Sequence, residues 1–162
     1  MSKEATAHHE AGHAVIARVL GLRVGVVTIE PTEDLLGSCQ FWYRDEPESV
    51  RADMLALLAG GFADAKYRGA RWDCFEHSAQ PTEGEDDDLE RFRNRLMEYA
   101  AMTGRSASAA EPILFQEAEQ LVDQHWPEIQ RLARYLTWVG VLEYPAYGQN
   151  PRAAFDTKET GR

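Results

Sequence analysis

Apolar residues recur at helical spacing along most of the chain and form strand-like runs in only one region. Around Ala5 to Leu20 the residues Ala11, Ala14, Val15, Ile16, Ala17, Val19 and Leu20 make a helix that is apolar nearly all round. That is the pattern of a buried helix, and it predicts a first helix over 3–21. Val24, Val26, Val27 and Ile29, then Phe41, Trp42 and Tyr43, are good strand formers and predict two short strands near 23–30 and 36–44. A second helix is expected from about Glu48 to Tyr67, packing through Met54, Leu55, Leu57, Leu58, Phe62 and Ala63. Gly60-Gly61 in its interior costs stability, so a neighbour should press closely there, and the first helix is the expected neighbour.

The period fails between Ala70 and Glu83, which predicts a long loop placed to cover a site. Leu89, Phe92, Leu96, Tyr99 and Ala100 then restore helical spacing. The last long helical region is expected to begin near Pro112, with Leu114, Ala118, Leu121, Val122, His125, Ile129, Leu132, Ala133 and Leu136 on one stripe. Pro127 must kink it or start a new helix. No internal repeat is present. The expected architecture is mainly α (α+β): one domain over 1–143 with a small β-sheet inserted after the first helix, and a flexible C-terminal tail over 144–162.

Length agrees with this, since 162 residues suffice for one domain with a proper core. A net charge of -10 argues against nucleic-acid binding, which needs a basic footprint. There is no apolar run of roughly 18 residues and no amino-terminal signal pattern, so no membrane segment is expected and the anticipated compartment is cytoplasmic. Cys39 and Cys74 lie far apart and form no CxxC pair, so they receive no role.

The chemistry sits in the first helix. His9-Glu10-Ala11-Gly12-His13 reads His-Glu-x-x-His, and residues four apart on a helix share a face. His9 and His13 can therefore aim at one metal ion, with Glu10 beside it as a base for an attacking water and then an acid for a leaving amine. A polar accident on a core helix is the competing reading. Burying His9, Glu10 and His13 unpartnered would be costly, and a metal removes that cost.

A catalytic zinc normally takes a third protein ligand, and the acidic stretch Glu83–Glu90 is where to seek it. Most of that charge suits a helix start. Asp88 lies four before Phe92, on the apolar side, whereas Asp87 lines up with Arg91, Asn94 and Glu98, and Asp86 with Glu90 and Arg93. Asp88 is thus the predicted third ligand. His77 is a weaker competitor, read with His8 and His125 as an ordinary histidine.

These residues carry a resemblance to the peptidase domain of the FtsH-type AAA+ zinc metalloproteases, over roughly residues 5 to 142. That family's His-Glu-Ala-Gly-His-Ala helix is matched by His9 to Ala14, and its Ile-x-Pro strand end by Ile29-Glu30-Pro31. Its Leu-Gly step is similar to Leu36-Gly37, and its Leu-Leu-Gly-Gly helix resembles Leu57-Leu58-Ala59-Gly60-Gly61-Phe62-Ala63-Asp64-Ala65 with Gly69 behind. Its Gly-Ala-x-x-Asp element falls on Gly84-Glu85-Asp86-Asp87-Asp88, placing its aspartate ligand on Asp88.

Glu85 departs from the family's small residue, and Asp64-Ala65 from its Glu-Glu pair, leaving Asp64 as a weak candidate to orient a ligand. The sequence contains no Gly-x-x-x-x-Gly-Lys-Ser/Thr loop, so any ATP dependence is expected from a separate ATPase partner. The resemblance implies a Zn2+ metalloendopeptidase acting on unfolded or flexible polypeptides, and packing into a homo-oligomer. It also implies that an edge strand around Gly37-Ser38-Cys39 holds the substrate backbone. Phe41-Trp42-Tyr43 could line a side-chain pocket, although ordinary packing explains the cluster better. A regulatory module that keeps the zinc for structure alone, and a zinc hydrolase of non-peptide amides, are the alternative functions.

Overall fold

The structure is a computed structural model that describes residues 1–72 and 85–145. Five helices and a three-stranded antiparallel sheet follow in the order α1 (Lys3–Val19), β1 (Arg23–Thr28), β2 (Ser38–Trp42), α2 (Pro47–Tyr67), α3 (Glu85–Thr103), α4 (Ala107–Gln124), α5 (Trp126–Val139) and β3 (Val141–Glu143). The expected mainly helical α+β class is observed. Helix α1 is the centre of the molecule: every residue from Ala5 to Ala17 is buried, between α2, α5 and the sheet. Ser2 starts it by accepting a hydrogen bond from the Ala5 N–H, a capping arrangement that satisfies one otherwise unpaired donor.

The α1–α2 crossing is unusually close because both helices present glycine there. A methyl group on Gly12 would stand 2.6 Å from the Ala59 carbonyl oxygen, and one on Gly60 would stand 2.3 Å from His13 Nε2. Gly60 thus faces the first helix as expected, but Gly61 faces Trp72, where a methyl group would lie 2.5 Å from the indole. Fully buried Met54, Leu55, Leu57 and Leu58 complete the α2 surface, and Phe92, Val122, Ile129 and Leu136 bring the later helices onto the same core. Asp53 is buried with them at 1% exposure, and Arg95 Nε donates to it at 3.0 Å.

Two features differ from the sequence reading, and a third resolves an open alternative. The last helical region begins at Ala107, not near Pro112, because the Ser106 hydroxyl caps α4 by accepting from the Ala109 N–H and Pro112 is tolerated inside the helix. Pro127 starts a separate helix, α5, as one of the two anticipated outcomes. The sheet also has a third strand. Gly140, with φ of 79, reverses the chain after α5 so that β3 pairs antiparallel with β1.

The strand order is β2-β1-β3, which leaves β2 at an edge. Tyr144, assigned to the tail by sequence, donates its backbone N–H to the Gly25 carbonyl at 3.0 Å, and Arg18 lies over its ring. The tail beyond Pro145 and the loop residues 73–84, including Cys74 and His77, lie outside the described residues.

Candidate metal centre

Helical spacing and one long-range contact build the site. His9 and His13 stack on the buried face of α1 facing α3, and the first turns of α3 bring Asp88 to them from 75 residues away. Asp88 Oδ2 lies 2.9 Å from His13 Nε2 and 3.1 Å from His9 Nε2, and the two ring nitrogens are 3.0 Å apart. Asp88 is mostly buried, while Asp87 is exposed as the periodicity predicts.

The hydrogen bonding at the far side of His13 decides what this triangle needs. His13 Nδ1 is 2.8 Å from the Ala56 carbonyl oxygen, which can only accept, so Nδ1 carries the proton. A neutral His13 then presents the Nε2 lone pair to a carboxylate oxygen and a second imidazole nitrogen. Acceptor atoms at such distances repel unless a proton or a metal cation lies among them. A tetrahedral zinc with bonds of about 2.0–2.1 Å spaces its ligand atoms by about 3.3 Å, close to the observed triangle. His9, His13 and Asp88 thus form a group that could hold a metal ion, with their ligand atoms all within 4.8 Å of one another. The Ala56 carbonyl fixes the orientation of the His13 ring, as an outer partner of a metal-binding histidine would.

The charges respond to this crowding. Burial alone would raise the Asp88 carboxyl, but positive charge and N–H donation from the His13 and His9 rings, when protonated, hold it well below the usual carboxylate range, the sense in which a cation among the three atoms would also act. Burial pushes the Glu10 carboxyl up, the two imidazoles partly offset that, and Asp88 adds to it. Glu10 is 6% exposed and stands against Gly37, the residue before β2: a methyl group there would lie 2.9 Å from Glu10 Oε1. Nothing larger than glycine fits at this position without displacement.

Two neighbours escaped the sequence reading. The Arg91 guanidinium lies 3.7 Å from Asp88 Oδ1, one helical turn on, where the pattern had paired Arg91 with Asp87. The i,i+3 spacing was the available signal. Phe41 is buried 6.0 Å from the His13 ring, whereas Trp42 is exposed under Arg23 and Tyr43 lies beneath Arg95. The aromatic cluster therefore divides among core and surface and builds no single pocket.

The remaining candidates stand apart from the triangle. His8 is buried but donates Nδ1–H to the Glu4 carbonyl and stacks on Tyr67, a core role. His125 joins α4 to α5. Asp64 is fully buried and pairs with Arg68. Burial first, then the nearby Glu10 and Asp88 carboxylates, pushes the Cys39 thiol well up, so it is no ready thiolate.

No helix among the described residues is long and apolar enough to cross a membrane. No family model matches the sequence, and no curated protein matches it either.

Proposed function

We propose that this protein is a zinc metalloendopeptidase acting on unfolded or flexible polypeptides, in the manner of the FtsH-type peptidase domain its motifs resemble. The observation that carries the reading is the convergence of three electron-pair donors, His9 Nε2, His13 Nε2 and Asp88 Oδ2, beside the buried carboxylate of Glu10. A set of two imidazoles and one carboxylate suits Zn2+ and leaves a fourth position for water or substrate. When bound, zinc supplies Lewis-acid polarisation of a carbonyl and acidification of water.

The protein's own groups do the rest. Glu10, raised by burial, would take a proton from the attacking water and return it to the departing amine. Ala56 holds the tautomer of His13, and Arg91 faces the outer oxygen of Asp88. The chain passes Glu10 at Gly37, the residue before edge strand β2, and an extended polypeptide could add to that edge as a further strand. Because His9, Glu10 and His13 are buried, a folded substrate would not reach them, so the chain must arrive unfolded or be delivered by a separate ATPase. A cytoplasmic setting and assembly into a homo-oligomer belong to the same proposal.

The test is cleavage of a reduced, carboxymethylated polypeptide by zinc-loaded protein, wild type beside Glu10→Gln. The wild type should cleave it and lose activity to a chelator. Glu10→Gln should keep its zinc and lose about a hundredfold or more in rate. Equal cleavage by both proteins, or no cleavage by fully zinc-loaded wild type, would overturn the reading.

A further inference from the structure

A cavity of about 280 Å³ lies away from the metal centre, where the start of α2, the end of α3 and the start of α4 meet. Arg51, Tyr99, Arg105, Ala110, Ile113 and Leu114 are among its walls. Tyr99 stands three turns of α3 beyond Asp88, about 16 Å along the helix axis, so the two sites are separate.

The polar groups gathered here are donors in want of an acceptor. Arg105 belongs to the turn between α3 and α4 and has no carboxylate partner among the described residues. Its Nη1 donates to the Tyr99 hydroxyl oxygen at 3.4 Å, a long contact that leaves the rest of the guanidinium fork unused. Tyr99 is 6% exposed, and its own O–H meets no acceptor among the described residues, although a buried phenol normally has one. Arg51 pairs with Glu117 through Nη2, which leaves its other N–H groups. The Ser106 hydroxyl is engaged in capping α4.

The remaining wall is apolar, formed by Ala110, Ile113 and Leu114, and Ile113 is a large side chain left 62% exposed. A chain of net charge -10 thus brings two guanidinium groups and a phenol O–H against an apolar surface. An anion satisfies the donors, and an apolar body covers the wall; inorganic phosphate would do only the first. Guanidinium and carboxylate match in bidentate geometry. The volume is just under the roughly 300–1,000 Å³ of sites for drug-sized ligands, so the body is small, on the order of one amino-acid side chain.

We propose that this cavity is a binding site for a carboxylate carried on one compact apolar group, either a free monocarboxylic acid or the C-terminal residue of a polypeptide. The carboxylate lies among Arg105, the Tyr99 O–H and Arg51, and the apolar group lies on Ile113 and Leu114. The site requires neither a metal nor the peptidase reading.

The experiment is calorimetric titration of the full chain with 3-phenylpropionate, its amide and acetate, and with a heptapeptide ending in Leu as the free acid or the C-terminal amide. Arg105→Gln and Tyr99→Phe are titrated in parallel; Arg105 is exposed and the second change removes only a hydroxyl, so both keep the fold. At least one apolar acid should bind saturably, about tenfold or more tighter than its amide and than acetate. It should lose about tenfold in Arg105→Gln and severalfold in Tyr99→Phe. The tighter acid identifies the source, phenylpropionate a free small acid and the peptide a chain end. No saturable binding of either acid, equal affinity for acid and amide, or affinity unchanged in either variant would overturn the proposal. In that last case, loss of binding in His13→Ala would place the acid at the metal centre instead.

Discussion

Gly60 offers a sharp test of how the helix crossing sets the position of a metal ligand. In a helix interior, alanine is favoured over glycine by about 1 kcal/mol. Against that gain, the new methyl group would stand 2.3 Å from His13 Nε2, 2.5 Å from Cε1 and 2.9 Å from Cδ2. Comfortable carbon contacts lie at about 3.5–4.0 Å, so the ring would have to withdraw by about 1 Å or more. It has no free direction in which to do so, being held at Nδ1 by the Ala56 carbonyl and at Nε2 among the ligand atoms. Overpacking of this kind costs about 1–3 kcal/mol, which cancels or outweighs the propensity gain.

Removing the ring reverses the sign. In a His13→Ala background the space is vacant, and Gly60→Ala should stabilise by about 1 kcal/mol. For a domain of this size 1 kcal/mol is about 3 °C in Tm. The assay is thermal unfolding of the four proteins of the double-mutant cycle in excess chelator, so that bound metal does not contribute. Gly60→Ala should leave Tm unchanged or lower it by up to about 6 °C with His13 present, and raise it by about 3 °C with His13 absent. The same shift in both backgrounds would refute the steric coupling.

Other consequences concern the core and the Asp53–Arg95 ion pair between α2 and α3. Arg95→Met strands the Asp53 carboxylate at 1% exposure and should destabilise by about 3 kcal/mol at neutral pH in denaturant titrations. Burial already raises the Asp53 carboxyl and Arg95 lowers it, so losing Arg95 moves it further up. A carboxyl raised in the folded state favours folding only while protonated; the deficit of Arg95→Met should therefore shrink as pH falls from 7 towards the ordinary carboxylate range, and a constant deficit would contradict the assignment. Ile129→Ala, in the fully buried stripe of α5, should cost about 2–4 kcal/mol, whereas Ile113→Ala on α4, 62% exposed, should stay within about 0.5 kcal/mol. Equal effects would show that the two faces are misassigned.

The central helix and the three converging side chains were legible in the sequence because each rests on one strong local signal. A helix apolar nearly all round requires burial all round. A four-residue histidine spacing requires a shared face, and Asp88 was separable from Asp86 and Asp87 because only it shares the side of Phe92. What stayed hidden depends on tertiary contact. A strand of three residues, Val141–Glu143, shows no alternation and exists because Gly140 turns it onto β1. The early start of α4 was obscured by Pro112, whose usual place at a helix entrance outweighed the Ser106 cap. The Ala56 carbonyl is invisible to patterning, since a backbone oxygen has no residue type, whereas the Arg91 contact is signalled only by its i,i+3 spacing from Asp88 and is passed over because an exposed arginine reads as solvated.

The most direct test of the central claim is the metal content of the purified protein after exposure to Zn2+ and removal of excess, by elemental analysis of wild type, His13→Ala and Asp88→Ala, each checked by circular dichroism for a retained fold. The account predicts about one zinc per wild-type chain and a large loss in both folded variants, because each removes one of the three convergent donors. A folded wild type that retains no metal, or full retention in both variants, would contradict it.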